Sequence, residues 1–205
     1  LAAGTLSVPS AFFFLGLILL VALLILLQLP FKAWIMGTFS IPLVICYPLA
    51  KRFTGWPQIV LGFVFSWGVL LGTVSATNDW PSEAMFLVYI GTVCWVIGYD
   101  TIYAIQDKEE DEKLGVGSAA ISLGSHLPLG VIIVYGTAIL FWSFGFWLKF
   151  DINFWLIGIG GAALHMIWQI RKLLTIDRST ALILFKSNRD CGLILTAGLI
   201  LQIVF

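Results

Sequence analysis

Asp100, Asp107 and Asp111 recur along one stripe of a segment that starts apolar and ends acidic, Tyr99 through Asp111. At 3.6 residues per turn, Asp107 falls about 20° from Asp100 around a helix and Asp111 about 20° to the other side, with Tyr103 and Ala104 on the same stripe. A rise of about 1.5 Å per residue sets Asp111 one turn beyond Asp107 and leaves Asp100 about two turns deeper. Two carboxylates one turn apart are hard oxygen donors of the kind Mg²⁺ takes, together with waters and substrate phosphates. The competing reading is a solvated stretch of mixed charge, because Glu109, Glu110 and Glu112 are interleaved with the pair. Asp100 stands among apolar residues. A carboxylate there is costly in lipid and faces a bundle interior, where it serves a site or bonds to a neighbouring helix.

A second cluster pairs Lys51 with Arg52 at the end of an apolar run, inside Tyr47 through Gln58. Arg offers a planar fork of donors to phosphate oxygens and Lys a compact point charge. Basic residues also collect on the cytoplasmic side of membrane proteins without any ligand, so the pair alone does not specify one. Taken together, acids for a divalent metal and bases for phosphate suit a substrate with a charged head and a greasy tail, a lipid diphosphate. Metal and cations would stabilise the charge that develops on departing diphosphate.

The elements that must hold these groups are membrane helices. Of the 205 residues, 60% are hydrophobic and 11% charged, against a usual charged share of roughly 25%, so lipid is the solvent and nucleic acid is not a partner. Runs of roughly 20 apolar residues span a bilayer core of about 30 Å. Seven candidates occupy 9–27, 33–49, 57–76, 84–106, 127–148, 152–170 and 191–205. The second holds Pro42 and Pro48, which predict a kink or an early end. Alternating loops place Lys51, Arg52, Lys108, Lys113, Arg171, Lys172, Arg178, Lys186 and Arg189 on one side, with the long loops 107–126 and 171–190, and only Lys32 and Lys149 on the other. Basic residues mark the cytoplasmic side or its mitochondrial equivalent, so the chemistry is expected there.

Other residues read as structural. Cys46, Cys94 and Cys191 lack metal-ligand or disulfide spacing. Gly62, Gly68 and Gly72, and Gly158, Gly160 and Gly161, would let helices approach closely. Trp34, Trp56, Trp80 and Trp142 fit an interfacial belt. His126 and His165 are single, and Gly115 with Gly117 suggests a flexible cap loop rather than a phosphate loop.

Two stretches, Tyr47 through Gly62 and Gly98 through Ala119, resemble the UbiA superfamily of intramembrane aromatic prenyltransferases, particularly its 4-hydroxybenzoate polyprenyltransferase branch. The second stretch resembles that family's second Asp-rich motif. The resemblance implies an all-α polytopic transmembrane bundle, seven spans of an implied nine, with residues 1–205 forming one N-terminally incomplete prenyltransferase domain. It implies that Asp107 and Asp111 bind Mg²⁺ and act in catalysis together with Arg52, that Lys51 and Arg52 contact the diphosphate or the aromatic carboxylate, and that Asp100 and Tyr103 bind substrate in the same cavity. The implied substrates are a polyprenyl diphosphate and 4-hydroxybenzoate, in ubiquinone biosynthesis at a bacterial or mitochondrial inner membrane. The family's first Asp-rich motif, an Asn-Asp-x-x-Asp element, is missing. Leu1 through Gly4 resembles the loop after it, so two preceding helices are expected elsewhere and the 205 residues alone are expected to be inactive. Open alternatives are another aromatic acceptor, a cation-coupled transporter and a non-catalytic scaffold.

Overall fold

The computed structural model describes residues 6–151, 154–174 and 178–205, and no strand occurs among them. Eight helices follow one another: α1 (Val8–Leu26), α2 (Phe31–Phe53), α3 (Pro57–Thr77), α4 (Glu83–Leu114), α5 (Ala119–Leu123), α6 (Leu127–Lys149), α7 (Trp155–Leu173) and α8 (Arg178–Val204), with a 3₁₀ turn at Gly124–His126 leading into α6. Seven of these are long, one for each predicted span. Among the described residues five stretches are long and apolar enough to cross a membrane by length and composition alone: α1, α2, α3, α4 and the run from α5 through α6. The protein is an all-helical membrane bundle.

Local chemistry sets the boundaries. Ser7 caps α1 by accepting a hydrogen bond from the Ser10 amide. Pro57 and Pro128 stand in the first turns of α3 and α6, where their missing N–H is no loss. Asn78 ends α3 in the left-handed region at φ 52°, and Gly115 ends α4 there at φ 65°.

α4 is the hub. It packs on α3, α6 and α8, while α7 packs on α8 and α6, and α2 on α3. One apolar core joins α4, α6, α7 and α8 around Ile102, Val131, Trp142, Met166 and Leu184. A smaller one joins α2, α3 and α4 around Met36, Leu70, Val74 and Tyr89. Trp142 and Tyr135 lie in the first core because Gly91 and Gly98 of α4 leave room for their rings. By contrast α1 buries no residue.

Two helices run past their expected boundaries. α4 continues eight residues past 106 and α8 begins at Arg178 rather than 191, so much of both expected loops is helical. Charged residues do not end a helix whose backbone bonds remain satisfied, and hydropathy marks only where the apolar face fades. At about 1.5 Å per residue, α4 is about 48 Å long, about 18 Å more than a bilayer core. α2 runs through Pro42 and Pro48 without an early end. Trp142 is not interfacial: it is buried, and its Nε1 donates to Thr92 Oγ1 at 3.1 Å. Gly62, Gly158 and Gly161 do meet neighbouring helices, whereas Gly68, Gly72 and Gly160 face open space. Of the span 152–170, residues 152 and 153 lie outside the described residues, as does the Leu1–Gly4 stretch.

The ends of the helices sort the charges. Lys32 at the start of α2 pairs with Asp79 between α3 and α4 at 2.8 Å. Lys51 and Arg52 sit at the opposite end of α2, beside the last turns of α4.

Candidate functional site at the ends of α2 and α4

The last turn of α4 carries Asp111, whose side chain is 8% exposed and whose two oxygens lie 3.1 and 3.2 Å from Lys51 Nζ. Burial of a carboxylate requires such compensation. Asp107, one turn earlier, is half-buried and makes no hydrogen bond or ion pair among the described residues. Asp100 is also half-buried and lies within electrostatic reach of both Lys51 and Asp107. Tyr47, a turn before Lys51 on α2, lies within reach of Asp100 and Lys51. The acidic stripe of α4 and the basic end of α2 thus converge. Arg52 is exposed beside them.

Backbone chemistry holds the two motifs together. Gly115 turns the chain at the end of α4, and the Val116 amide donates to the Asp111 carbonyl at 3.1 Å. The Gly117 amide then donates to the Lys51 carbonyl at 2.9 Å, and the Ala119 amide to Gln58 Oε1 at 3.1 Å. Ser122 Oγ donates to the Gly55 carbonyl at 3.0 Å. A Cβ on Gly117 would collide with the Thr54 carbonyl. Gly117 is needed for close approach, and the segment expected to be a flexible cap is a clasp with three hydrogen bonds to the corner between α2 and α3.

Tyr103 points to α8, where its ring lies 4.7 Å from that of Phe185. Tyr99 contacts the same Phe185 ring at 5.7 Å and Trp95 at 5.5 Å, so one aromatic wall follows α4 inward from the acidic end. Sequence reasoning missed Phe185 and the polar residues that set it. Asn188 accepts from Trp95 Nε1 at 2.9 Å and donates to the Leu184 and Phe185 carbonyls. Gln169, fully buried on α7, accepts from Tyr135 and donates to the Leu184 carbonyl and Ser187. His165 also meets Ser187, at 3.1 Å. Gln169 and Asn188 could have been found as amides within apolar helices, which seek partners across helix interfaces.

Among the described residues no group of three metal-ligating side chains forms a cage. Mg²⁺ commonly uses only one or two protein carboxylates and completes its shell with water and phosphate oxygens. Asp107 and Asp111 fit that donor set, with Asp107 unengaged and Asp111 balanced by Lys51. The site therefore combines acidic donors, two cations and an apolar aromatic wall.

The UbiA prenyltransferase family model matches residues 1–189. The 4-hydroxybenzoate polyprenyltransferase of Aedes aegypti mitochondria is 38% identical over the whole chain, which spans 46% of that protein. The 4-hydroxybenzoate octaprenyltransferase of Pseudomonas putida is 31% identical over 98% of the chain and 68% of its own length. The chain spans about half the length of the mitochondrial relatives it matches. In fold it matches the apo structure of a UbiA homolog from Aeropyrum pernix, with a TM-score of 0.84 and 22% identity over 98% of this chain and 75% of that one. A solved structure described for digeranylgeranylglyceryl phosphate synthase gives a TM-score of 0.71 at 19% identity, over 98% of this chain and 72% of that one. With the two motifs clasped at one end of the bundle, this chain belongs to the UbiA prenyltransferase family.

Proposed function

We propose that the chain transfers a polyprenyl group from polyprenyl diphosphate to 4-hydroxybenzoate, the reaction named in its relatives, within ubiquinone biosynthesis. The allylic C–O bond breaks and its electron pair leaves with diphosphate. A C–C bond forms to the ring carbon ortho to the hydroxyl, and that carbon's proton is lost.

The observation that carries this reading is the Lys51–Asp111 contact, which brings the cationic and acidic motifs to one end of the bundle. Lys51 and Arg52 hold the diphosphate, Lys51 exchanging one anionic partner for another as the head group enters. Asp107 and Asp111 are the residues that hold Mg²⁺, which when bound supplies positive charge to the leaving diphosphate. Asp100 and Tyr103 line the cavity inward of the head group, where the neighbouring helices exclude water and strengthen electrostatic interactions. Residues 1–205 act as one membrane domain, in a bacterial or mitochondrial inner membrane, with this end toward the cytoplasm or matrix.

The test is transfer of labelled polyprenyl diphosphate to 4-hydroxybenzoate in lipid membranes, by the chain alone and preceded by a segment bearing an Asn-Asp-x-x-Asp element. Mg²⁺-dependent product that disappears in Asp107→Asn is the expected result. Failure to prenylate any aromatic acid in either form would refute it, and cation flux in liposomes without lipid diphosphate would favour transport.

A further inference from the structure

Lys186 and Arg189, which a loop would simply have solvated, lie eight and eleven residues into a helix of 27 residues, about 12 and 16 Å from its beginning. Phe185 meets Tyr99 and Tyr103 of α4, so Lys186 lies near the level of Asp100. Lys186 is exposed and makes no hydrogen bond or ion pair among the described residues. Arg189 holds Asp190 Oδ1 through Nε and a terminal nitrogen, both at 2.8 Å, while its side chain remains 78% exposed.

Both cations border a cleft of about 340 Å³ between α4 and α8, lined by Trp95, Tyr99, Phe185, Lys186, Asn188 and Arg189. Three walls are aromatic and meet edge to face. Asn188 spends its side chain on Trp95 and two carbonyls, so it positions the Trp95 ring rather than a ligand. Lys186 and Arg189, less the charge of Asp190, leave one net positive charge at the cleft. The complement is an aromatic ring bearing one negative charge.

We propose that this cleft takes the aromatic acid acceptor, with Lys186 and Arg189 on its carboxylate and Trp95, Tyr99 and Phe185 against its ring. The inference rests on the prenyl-transfer reading and deepens it. Lys51 and Arg52 are then left to the diphosphate, and Tyr103, which shares Phe185 with the cleft, lies between the acceptor and the acidic stripe. Each substrate has its own pair of cations.

The experiment is equilibrium binding of labelled 4-hydroxybenzoate, and of its uncharged methyl ester, to the protein in lipid nanodiscs without prenyl donor. The wild type is compared with Lys186→Gln/Arg189→Gln. Both side chains are exposed, so the substitutions remove no packing. The acid's Kd is expected to rise about tenfold or more, as for loss of hydrogen bonds to a charged group, while the ester binds both proteins equally. In the transfer assay KM for the acid should rise similarly and KM for the diphosphate should not. Equal binding of the acid by wild type and variant, or binding by neither, overturns the inference, as does a joint rise in both KM values. Absence of transfer to every aromatic acceptor refutes the functional reading instead. In that case cation-dependent binding of the acid would still uphold the cleft.

Discussion

Lys51 Nζ sits 3.1 and 3.2 Å from the two carboxylate oxygens of Asp111, across 60 residues of chain, and the backbone of Lys51 accepts the Gly117 amide. One residue thus neutralises the acid that ends α4 and anchors the turn that follows it. Replacing Lys51 by Met leaves a buried carboxylate unpaired. Because Lys51 is 43% exposed, the cost is expected to be about 1–2 kcal/mol, below that of a fully buried pair. Thermal unfolding of Lys51→Met, Asp111→Asn and the double variant should show that the double variant recovers part of the Lys51→Met loss, since it removes the orphaned charge.

The clasp gives a test that separates space from conformation. Gly117→Ala sets a Cβ against the Thr54 carbonyl, a backbone atom that cannot move aside alone. Gly115→Ala meets nothing within 4 Å but must adopt φ 65°. The expected order is a loss of about 1 kcal/mol at Gly115, from left-handed strain, and a larger loss with impaired prenyl transfer at Gly117. Equal effects in unfolding and transfer assays would mean that the clasp is not required.

Gly158 and Gly160 lie on opposite faces of α7. A Cβ at Gly158 would meet Gly198 and the Leu195 carbonyl of α8 at 3.0 Å, whereas Gly160 has open space. Gly158→Val should force the helices apart and cost about 1–3 kcal/mol by overpacking. Gly160→Val should leave the unfolding temperature nearly unchanged.

At the other end of the bundle Lys32 and the Trp80 amide bond to Asp79 and hold its carboxyl below the usual carboxylate range. A depressed folded-state pKa contributes stability above the unfolded pKa and loses it as pH falls through the folded value. The contribution should therefore be complete above about pH 4 and disappear on acidification below it. Asp79→Asn should lack this component of the acid titration of stability, and high salt should weaken it, because the pair is exposed.

The amino-acid order alone specifies the solvent of the fold, the number of long helices and the acidic and basic motifs. Hydropathy over about 20 residues is a local property, as is the spacing that sets Asp100, Asp107 and Asp111 on one stripe. It could not determine where helices end once their residues become polar: α4 and α8 run through Asp107 and Lys186 because backbone hydrogen bonds continue after the apolar face fades. Only the tertiary structure brought Lys51 to Asp111, turned Gly117 into a clasp and set Phe185 against Tyr99 and Tyr103. Those pairings depend on helix rotation and depth, set by close glycine crossings and by the buried amides Gln169 and Asn188. Contacts between residues 60 or more positions apart leave no periodicity in the chain, so packing alone decides them.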